Sequence, residues 1–294
     1  MDVDTGVDDA MAIALATHLE THKLIAVTTV AGNVPVELGT RNSLRVLDWL
    51  GADVPVFRGM DSPLARPLWT AQEFHGEDGL GGWLEPETSR TEESMSAPEA
   101  IIQLARRHRG EITFAFVGPL TNLAVALSLE PRLVEWVLEL VIMGGAFTVP
   151  GNTTPHAEFN IYADPEAAAV VARSRLPQTW IGLDVTHQTM LAHAEWVALG
   201  EASQRAHVLV REAARHTFEM RGRPHAYLHD PLAIGVVEQP NLVTVETGEV
   251  RVEVGEHRRG ETRLVEPLSA LPNARVAVGV DRDGFAASFG RLVG

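Results

Sequence analysis

Cysteine is absent from all 294 residues, which excludes disulfides, thiolate nucleophiles and zinc–sulfur centres. Lysine is reduced to Lys23, so nearly all positive charge is arginine. Schiff-base chemistry and Walker-type phosphate loops, which need a placed lysine, are thereby close to impossible. No apolar run approaches the ~18–20 residues of a membrane span, and acids rather than bases open the chain. Neither a membrane partner nor a signal peptide is expected, and the cytoplasm is the default compartment. Positive charge is in deficit: 24 Lys plus Arg stand against 39 Asp plus Glu, for a formal net charge of −15. That balance opposes contact with phosphate backbones, so nucleic acid is not an expected partner.

What is present is an ordinary globular composition, 45% hydrophobic and 21% charged, without repeats or low-complexity tracts. Short β-rich runs alternate with helical patterns over the first two-thirds of the chain. This predicts an α/β fold in which a mostly parallel, Rossmann-like central sheet is flanked by helices, with residues 1–294 as a single domain. Strands are expected at Leu24–Val30, Val54–Phe57, Ile112–Val117, Leu138–Met143 and Thr179–Leu183. Helices are expected over Glu37–Leu50, from the capping box Ser96-Ala97-Pro98-Glu99, and from Asp164-Pro165-Glu166. Val243–Val254 reads as a hairpin turning at Thr247-Gly248, and Arg275–Val280 as a late edge strand. The polar stretch Arg58–Ser94, containing His75-Gly76-Glu77-Asp78-Gly79, reads as a long functional loop.

The densest chemistry is at the start, where Asp2-Val3-Asp4-Thr5-Gly6-Val7-Asp8-Asp9 places four carboxylates within eight residues. Asp2 and Asp4 are two apart and share one side of a strand, whereas Asp8 and Asp9 open a buried helix over Ala10–Leu19. The helix dipole favours Asp8 and Asp9 but does not account for Asp2 and Asp4. Carboxylates converging in a low dielectric repel unless a cation joins them, and an all-oxygen donor set suits Ca²⁺ or Mg²⁺. Only Met1 precedes Asp2, so either the first strand is very short or further residues belong upstream.

This opening resembles the signature of the nucleoside hydrolases, calcium enzymes that cleave the N-glycosidic bond of ribonucleosides. Five further segments recur in that family's order: Ala31-Gly32-Asn33-Val34, Val117-Gly118-Pro119-Leu120-Thr121-Asn122-Leu123-Ala124, Met143-Gly144-Gly145, Ala157-Glu158-Phe159-Asn160-Ile161 with Asp164-Pro165-Glu166-Ala167-Ala168, and His229-Asp230-Pro231-Leu232-Ala233. Thr5 departs from the family, where proline is frequent. The resemblance implies Ca²⁺ held by Asp4, Asp9, the main-chain carbonyl of Thr121, and Asp230. It gives Asp8 and Asn160 to the ribose 2′ and 3′ hydroxyls, with Asn33 near the sugar and Asn152 and Glu158 at the 5′ end. It also implies a homodimer or homotetramer in purine or pyrimidine salvage. Thr121 and Asp230 have an alternative use as helix caps, and Asn33 and Asn152 as turn residues.

The implied reaction develops positive charge on the ribosyl ring, which a carboxylate-lined pocket stabilises. Asp4 would take the proton of the attacking water, and His229 or His75 would serve the leaving base. With no lysine or arginine cluster evident for a 5′-phosphate, a small-molecule nucleoside rather than a nucleotide is the expected substrate. Phe159 and Tyr227 could stack on the base, whereas Arg215, Arg221 and Arg223 read as a solvated face. Two rivals remain. A nucleoside- or ribose-binding protein of the same fold would lack turnover. A haloacid-dehalogenase-type phosphatase would share Asp2-Val3-Asp4-Thr5 but would need Lys23 near the acids.

Overall fold

The computed structural model describes residues 1–83, 87–200, 204–266 and 273–293. The strands are β1 (Asp2–Val3), β2 (Val27–Thr29), β3 (Val56–Arg58), β4 (Ile112–Phe116), β5 (Val137–Met143), β6 (Gln178–Ile181), β7 (Met190–Ala192), β8 (His225–Tyr227), β9 (Val243–Val252), β10 (Thr262–Val265) and β11 (Ala274–Val280). The helices are α1 (Val7–Ala16), α2 (Val36–Leu50), α3 (Gln72–His75), α4 (Ala97–Arg107), α5 (Thr121–Leu129), α6 (Phe159–Ala163), α7 (Pro165–Ala172), α8 (Leu183–Thr186), α9 (His193–Ala198), α10 (Arg205–Arg215), α11 (His229–Glu238) and α12 (Arg282–Val293).

Nine strands form one sheet in the order β10-β9-β11-β6-β5-β4-β1-β2-β3. From β11 to β3 all neighbours are parallel, and β9 and β10 are antiparallel additions. Apolar clusters pack on the two faces. One is built around α1, α10 and α11, the other around α5 and α7. The chain runs outward from β1 to β3, then returns to β4 and runs the other way. The switch point therefore lies between β1 and β4, where open α/β sheets leave a crevice beyond the carboxyl ends of the strands. Asp4 follows β1 there, and Val117 follows β4.

Two expected strands differ from what is observed. Val243–Val252 is one unbroken strand, with Thr247 opposite Arg275 and Gly248 opposite Ala274 on β11. Gly248 allows close packing rather than a turn: a Cβ there would meet Leu264 Cδ1 at 2.6 Å and the Val265 carbonyl at 2.7 Å. The hairpin is instead β9–β10. The segment expected as an edge, β11, is interior, between β6 and β9, and the edges are β10 and β3. The Arg58–Ser94 stretch is largely irregular among its described residues and carries the short helix α3. Residues 84–86 of it lie outside the description.

Candidate active site

Asp8, Asp9 and Asp230 meet at the switch point, with one carboxylate oxygen from each lying within 4.8 Å of the others. Local bonding explains the convergence. Asp9, in the first turn of α1, accepts from Gly6 N–H at 2.9 Å and from Asp4 N–H at 3.1 Å, locking the strand-to-helix turn. Asn33 ties two acids together. Its backbone N–H donates to Asp4 Oδ2 at 2.6 Å, and its Nδ2 donates to Asp4 Oδ1 at 3.2 Å and Asp9 Oδ2 at 3.0 Å. Asp230 is brought in by α11, which packs on α1. Asp2 takes no part: its Oδ2 accepts from Thr28 Oγ1 at 2.6 Å and Asn122 Nδ2 at 2.8 Å. Hydrogen bonding thus divides the four N-terminal acids into one that braces the sheet and three that face or support the cluster.

The electrostatics are those of a site built for a cation. Burial raises Asp8 to about 6, and burial with the charge of Asp8 raises Asp9 to about 6. Burial, then Asp9, pushes Asp4 well above the carboxylate range. Burial, then Asp8, Asp9, Asp4 and Glu158, does the same for Asp230. Asp8 Oδ1 is buried and accepts no hydrogen bond. Uncompensated buried carboxylates and an orphaned oxygen fit a hard, oxygen-seeking ion.

The acids adjoin a cavity of about 540 Å³, into which Asp8, Asn33, Asn152, Glu158, Asn160 and Asp230 project. Glu158 caps α6, accepting from Asn160 N–H at 2.8 Å, Gly145 N–H at 3.1 Å and Ile161 N–H at 3.2 Å. Burial raises it to about 7. Asn152 Oδ1 accepts from Phe159 N–H at 2.9 Å. Asn160 Nδ2 donates to the Val117 carbonyl at 2.7 Å and the Met143 carbonyl at 3.2 Å, leaving its Oδ1 as the free acceptor.

Thr121 does not reach this cavity. It begins α5, and its hydroxyl donates to Asp164 Oδ2 at 2.7 Å. Val117, just after β4, lines the cavity, and its carbonyl accepts from Asn160 Nδ2. Lys23 lies past the far end of α1 and lines a separate hollow with Leu19 and Leu24.

Both expected histidines line the cavity. Val7 N–H donates to His75 Nδ1 at 3.1 Å, which places the imidazole proton on Nε2. His75 Nδ1 also lies 3.8 Å from Asp8 Oδ1. Gly6 makes room for the ring, because a Cβ on it would come within 2.8 Å of His75 Cε1. Burial lowers His75 to about 4, and burial with the nearby His187 lowers His229 to about 3. His229 Nδ1 is 2.8 Å from Thr186 Oγ1. Both rings are therefore neutral donors near pH 7, not standing imidazolium acids.

Sequence reasoning missed part of the cavity lining. His187 lies 4.8 Å from the Tyr227 ring and 5.7 Å from that of His229, and His225 lies 4.7 Å from Tyr227, centroid to centroid. Neither His187 nor His225 belongs to a recognisable motif. Arg221 and Arg223, read as solvated, line the cavity as well. A π-helical turn over His216–Met220 follows α10 and brings Arg221 over Phe74, 4.2 Å from the ring centroid. Arg215 behaves as expected, pairing with Glu212 at 3.2 Å.

A parallel α/β sheet with a buried carboxylate cluster at its switch point, opening on a nucleoside-sized cavity, defines a class of metal-assisted hydrolase architecture. Residues 1–287 match the inosine-uridine preferring nucleoside hydrolases, and the chain belongs to that family. It is 39% identical over 295 residues to the pyrimidine-specific ribonucleoside hydrolase RihA of Shewanella woodyi, covering 97% of this chain and 94% of the relative. It is 39% identical over 292 residues to the non-specific ribonucleoside hydrolase RihC of Salmonella enteritidis, with the same coverage of 97% and 94%. The solved purine-preferring ribonucleoside hydrolase from Gardnerella vaginalis superposes with a TM-score of 0.92 at 34% identity, over 99% of this chain and 96% of that one.

Proposed function

We propose that this nucleoside hydrolase splits the N-glycosidic bond of ribonucleosides to ribose and free base, with a calcium ion held by Asp4, Asp9 and Asp230. The observation that carries the reading is the meeting of Asp8, Asp9 and Asp230 within 4.8 Å, with Asp4 tied to Asp9 through the Asn33 side chain. The Val117 carbonyl replaces that of Thr121 as the main-chain donor, because it faces Asn160 Nδ2 at 2.7 Å, whereas Thr121 is turned to Asp164. When bound, the ion supplies Lewis acidity and a seat for vicinal hydroxyls.

The chain's own groups do the rest. Asp4 takes the proton of the attacking water, its carboxylate being held in place by the Asn33 backbone N–H and side-chain amide. Asp8, with its unpartnered Oδ1, and Asn160, with its free Oδ1, accept from the ribose hydroxyls. Asn33 fixes the acids, and Asn152 and Glu158 hold the 5′ end. The carboxylate floor stabilises the positive charge growing on the ring. His75 donates from Nε2 to the departing base, and His229 does the same in the tautomer whose Nδ1 accepts from Thr186 Oγ1.

The test is reducing-sugar release from inosine and uridine, with and without a chelator, alongside calcium titration calorimetry. Release that is lost with chelator and restored by Ca²⁺ supports the reading. Tight nucleoside binding without release would favour a binding protein instead, and chelator-insensitive release would remove the ion. The resemblance further leads us to propose a cytoplasmic homodimer or homotetramer acting in nucleoside salvage, checked by light scattering and fractionation. No helix among the described residues is long and apolar enough to cross a membrane.

A further inference from the structure

His229 is anchored twice, and both anchors come from α8 and the turn that follows it. Leu228 N–H donates to the Thr189 carbonyl at 3.1 Å, which fixes the chain just before α11 opens. The ring itself is held at Nδ1, 2.8 Å from Thr186 Oγ1. α8 is pinned in turn, because Asp184 accepts from Phe147 N–H at 2.9 Å and from Thr148 N–H at 2.8 Å. Thr186 is fully buried, and its hydroxyl has no hydrogen-bond partner among the described residues except His229 Nδ1. Other buried threonines turn back to a main-chain carbonyl, as Thr40 does to Val36 at 2.7 Å and Thr189 to Thr186 at 3.1 Å. The Thr186 hydroxyl makes no such bond.

That choice settles where the protons lie. A buried O–H needs an acceptor, and a threonine hydroxyl carries a single proton. Were His229 to donate from Nδ1, the hydroxyl proton would be orphaned in a dry place. The bond therefore runs from Thr186 O–H to Nδ1, and the ring's own proton stands on Nε2. Nε2 has no partner among the described residues, and the ring lines the cavity. A carboxylate in the place of Thr186 could only accept, and would hold the opposite tautomer. At His75 a backbone N–H, that of Val7, fills Nδ1, so only at His229 does a side chain decide the tautomer.

Resting on the hydrolase reading above, we propose that Thr186 is a positioning residue for glycosidic cleavage: its buried hydroxyl donates to His229 Nδ1 and thereby presents Nε2–H to the departing base. As the C1′–N bond breaks, its electron pair stays with the base, which takes a hydrogen bond from Nε2. The water oxygen bonds to C1′, its proton goes to Asp4, and solvent protonates the released base. A bond that strengthens as charge builds on the base acts on kcat more than on KM.

The first measurement is proton–nitrogen correlation NMR on protein with labelled histidine near pH 7.5, the His229 ring being assigned by its loss in His229→Gln. The wild type should carry its proton on Nε2, and a proton on Nδ1 overturns the proposal. The second compares kcat and KM for uridine, inosine and p-nitrophenyl riboside in the calcium-loaded wild type, Thr186→Val and Thr186→Ser. Thr186→Val keeps the shape and removes the donor, so kcat for uridine and inosine should fall about tenfold or more. Their KM, and kcat for p-nitrophenyl riboside with its good leaving group, should change by less than about threefold. Thr186→Ser, which keeps the hydroxyl and loses the methyl, should restore the nucleoside rates. A residue that merely packs would lower all three substrates alike and would not be rescued by serine, and either result overturns the proposal. So does an undiminished kcat in Thr186→Val. If that variant does not fold, the wild-type spectrum decides. Failure of the underlying reading looks different: the wild type would release ribose from none of the three substrates, whatever the spectrum.

Discussion

Asp8→Asn should stabilise the protein in chelator and destabilise it, relative to wild type, in calcium. Burial raises the Asp8 carboxyl from 3.8 to about 6, so above pH 6 the folded state holds a charge that it would rather release. About two decades of proton affinity correspond to about 3 kcal/mol. Because the folded pKa is the higher one, this cost is complete above about pH 6 and vanishes once the group is protonated in both states, below 3.8. Removing the charge at pH 7.5 should raise the melting temperature by about 5 °C in a chain of this size. At pH 5, where the folded carboxyl is largely protonated, the gain should shrink to a fraction of that. Calcium inverts the order, since a ligand at 1,000 times its Kd stabilises by about 4 kcal/mol and the variant loses the negative charge of Asp8 beside the ligands Asp9 and Asp230. Differential scanning fluorimetry in chelator and in calcium, at both pH values, reads all four quantities. A lower melting temperature for Asp8→Asn in chelator at pH 7.5 would refute the reasoning, because the carboxylate would then be a stabilising group without its ion.

Gly6→Ala should push the His75 ring aside and leave Val7 N–H unpaired, costing about 1–3 kcal/mol in denaturant unfolding and lowering kcat. A variant with unchanged stability and turnover would show that the ring accommodates a methyl there. Asp4→Asn should lower kcat by about 10²–10⁴. Calorimetry should show weaker calcium binding, and retained turnover would remove Asp4 from the mechanism. His229→Ala should slow inosine and uridine far more than p-nitrophenyl riboside in steady-state kinetics. A uniform loss would instead assign the residue to packing against Thr186 and His187.

The parallel core was legible because its strands are short β-branched runs and its helices carry overt start signals, Ser96 with Glu99 and Asp164 with Pro165. Order within the sheet was not: β11 looks the same in sequence whether it ends a sheet or lies inside one. Thr247-Gly248 reads as a turn because a glycine needed for close packing is spelled like a glycine needed for a bend. Among the candidate site residues, the acids declared themselves by density, since four carboxylates in eight residues demand an explanation. Which of them face one another depends on hydrogen bonds to Thr28, Asn33 and Asn122, which come from distant segments. A backbone donor leaves no mark on side-chain identity, so Val117 and Thr121 could not be told apart. Arg221 read as solvated because the π-helical turn that folds it inward has no sequence pattern of its own.

Asp9 comes from α1 and Asp230 from α11, and the two meet only when α11 docks on α1. Closing that pair spans 221 residues, the difference 230 − 9, so the grip on an ion matures late in folding, after the intervening strands have registered. During synthesis the ribosome would release the N-terminal acids long before their distal counterpart. A nascent chain would thus carry the first half of the clasp while remaining catalytically silent, and acquisition of a metal ion would report completion of the tertiary structure.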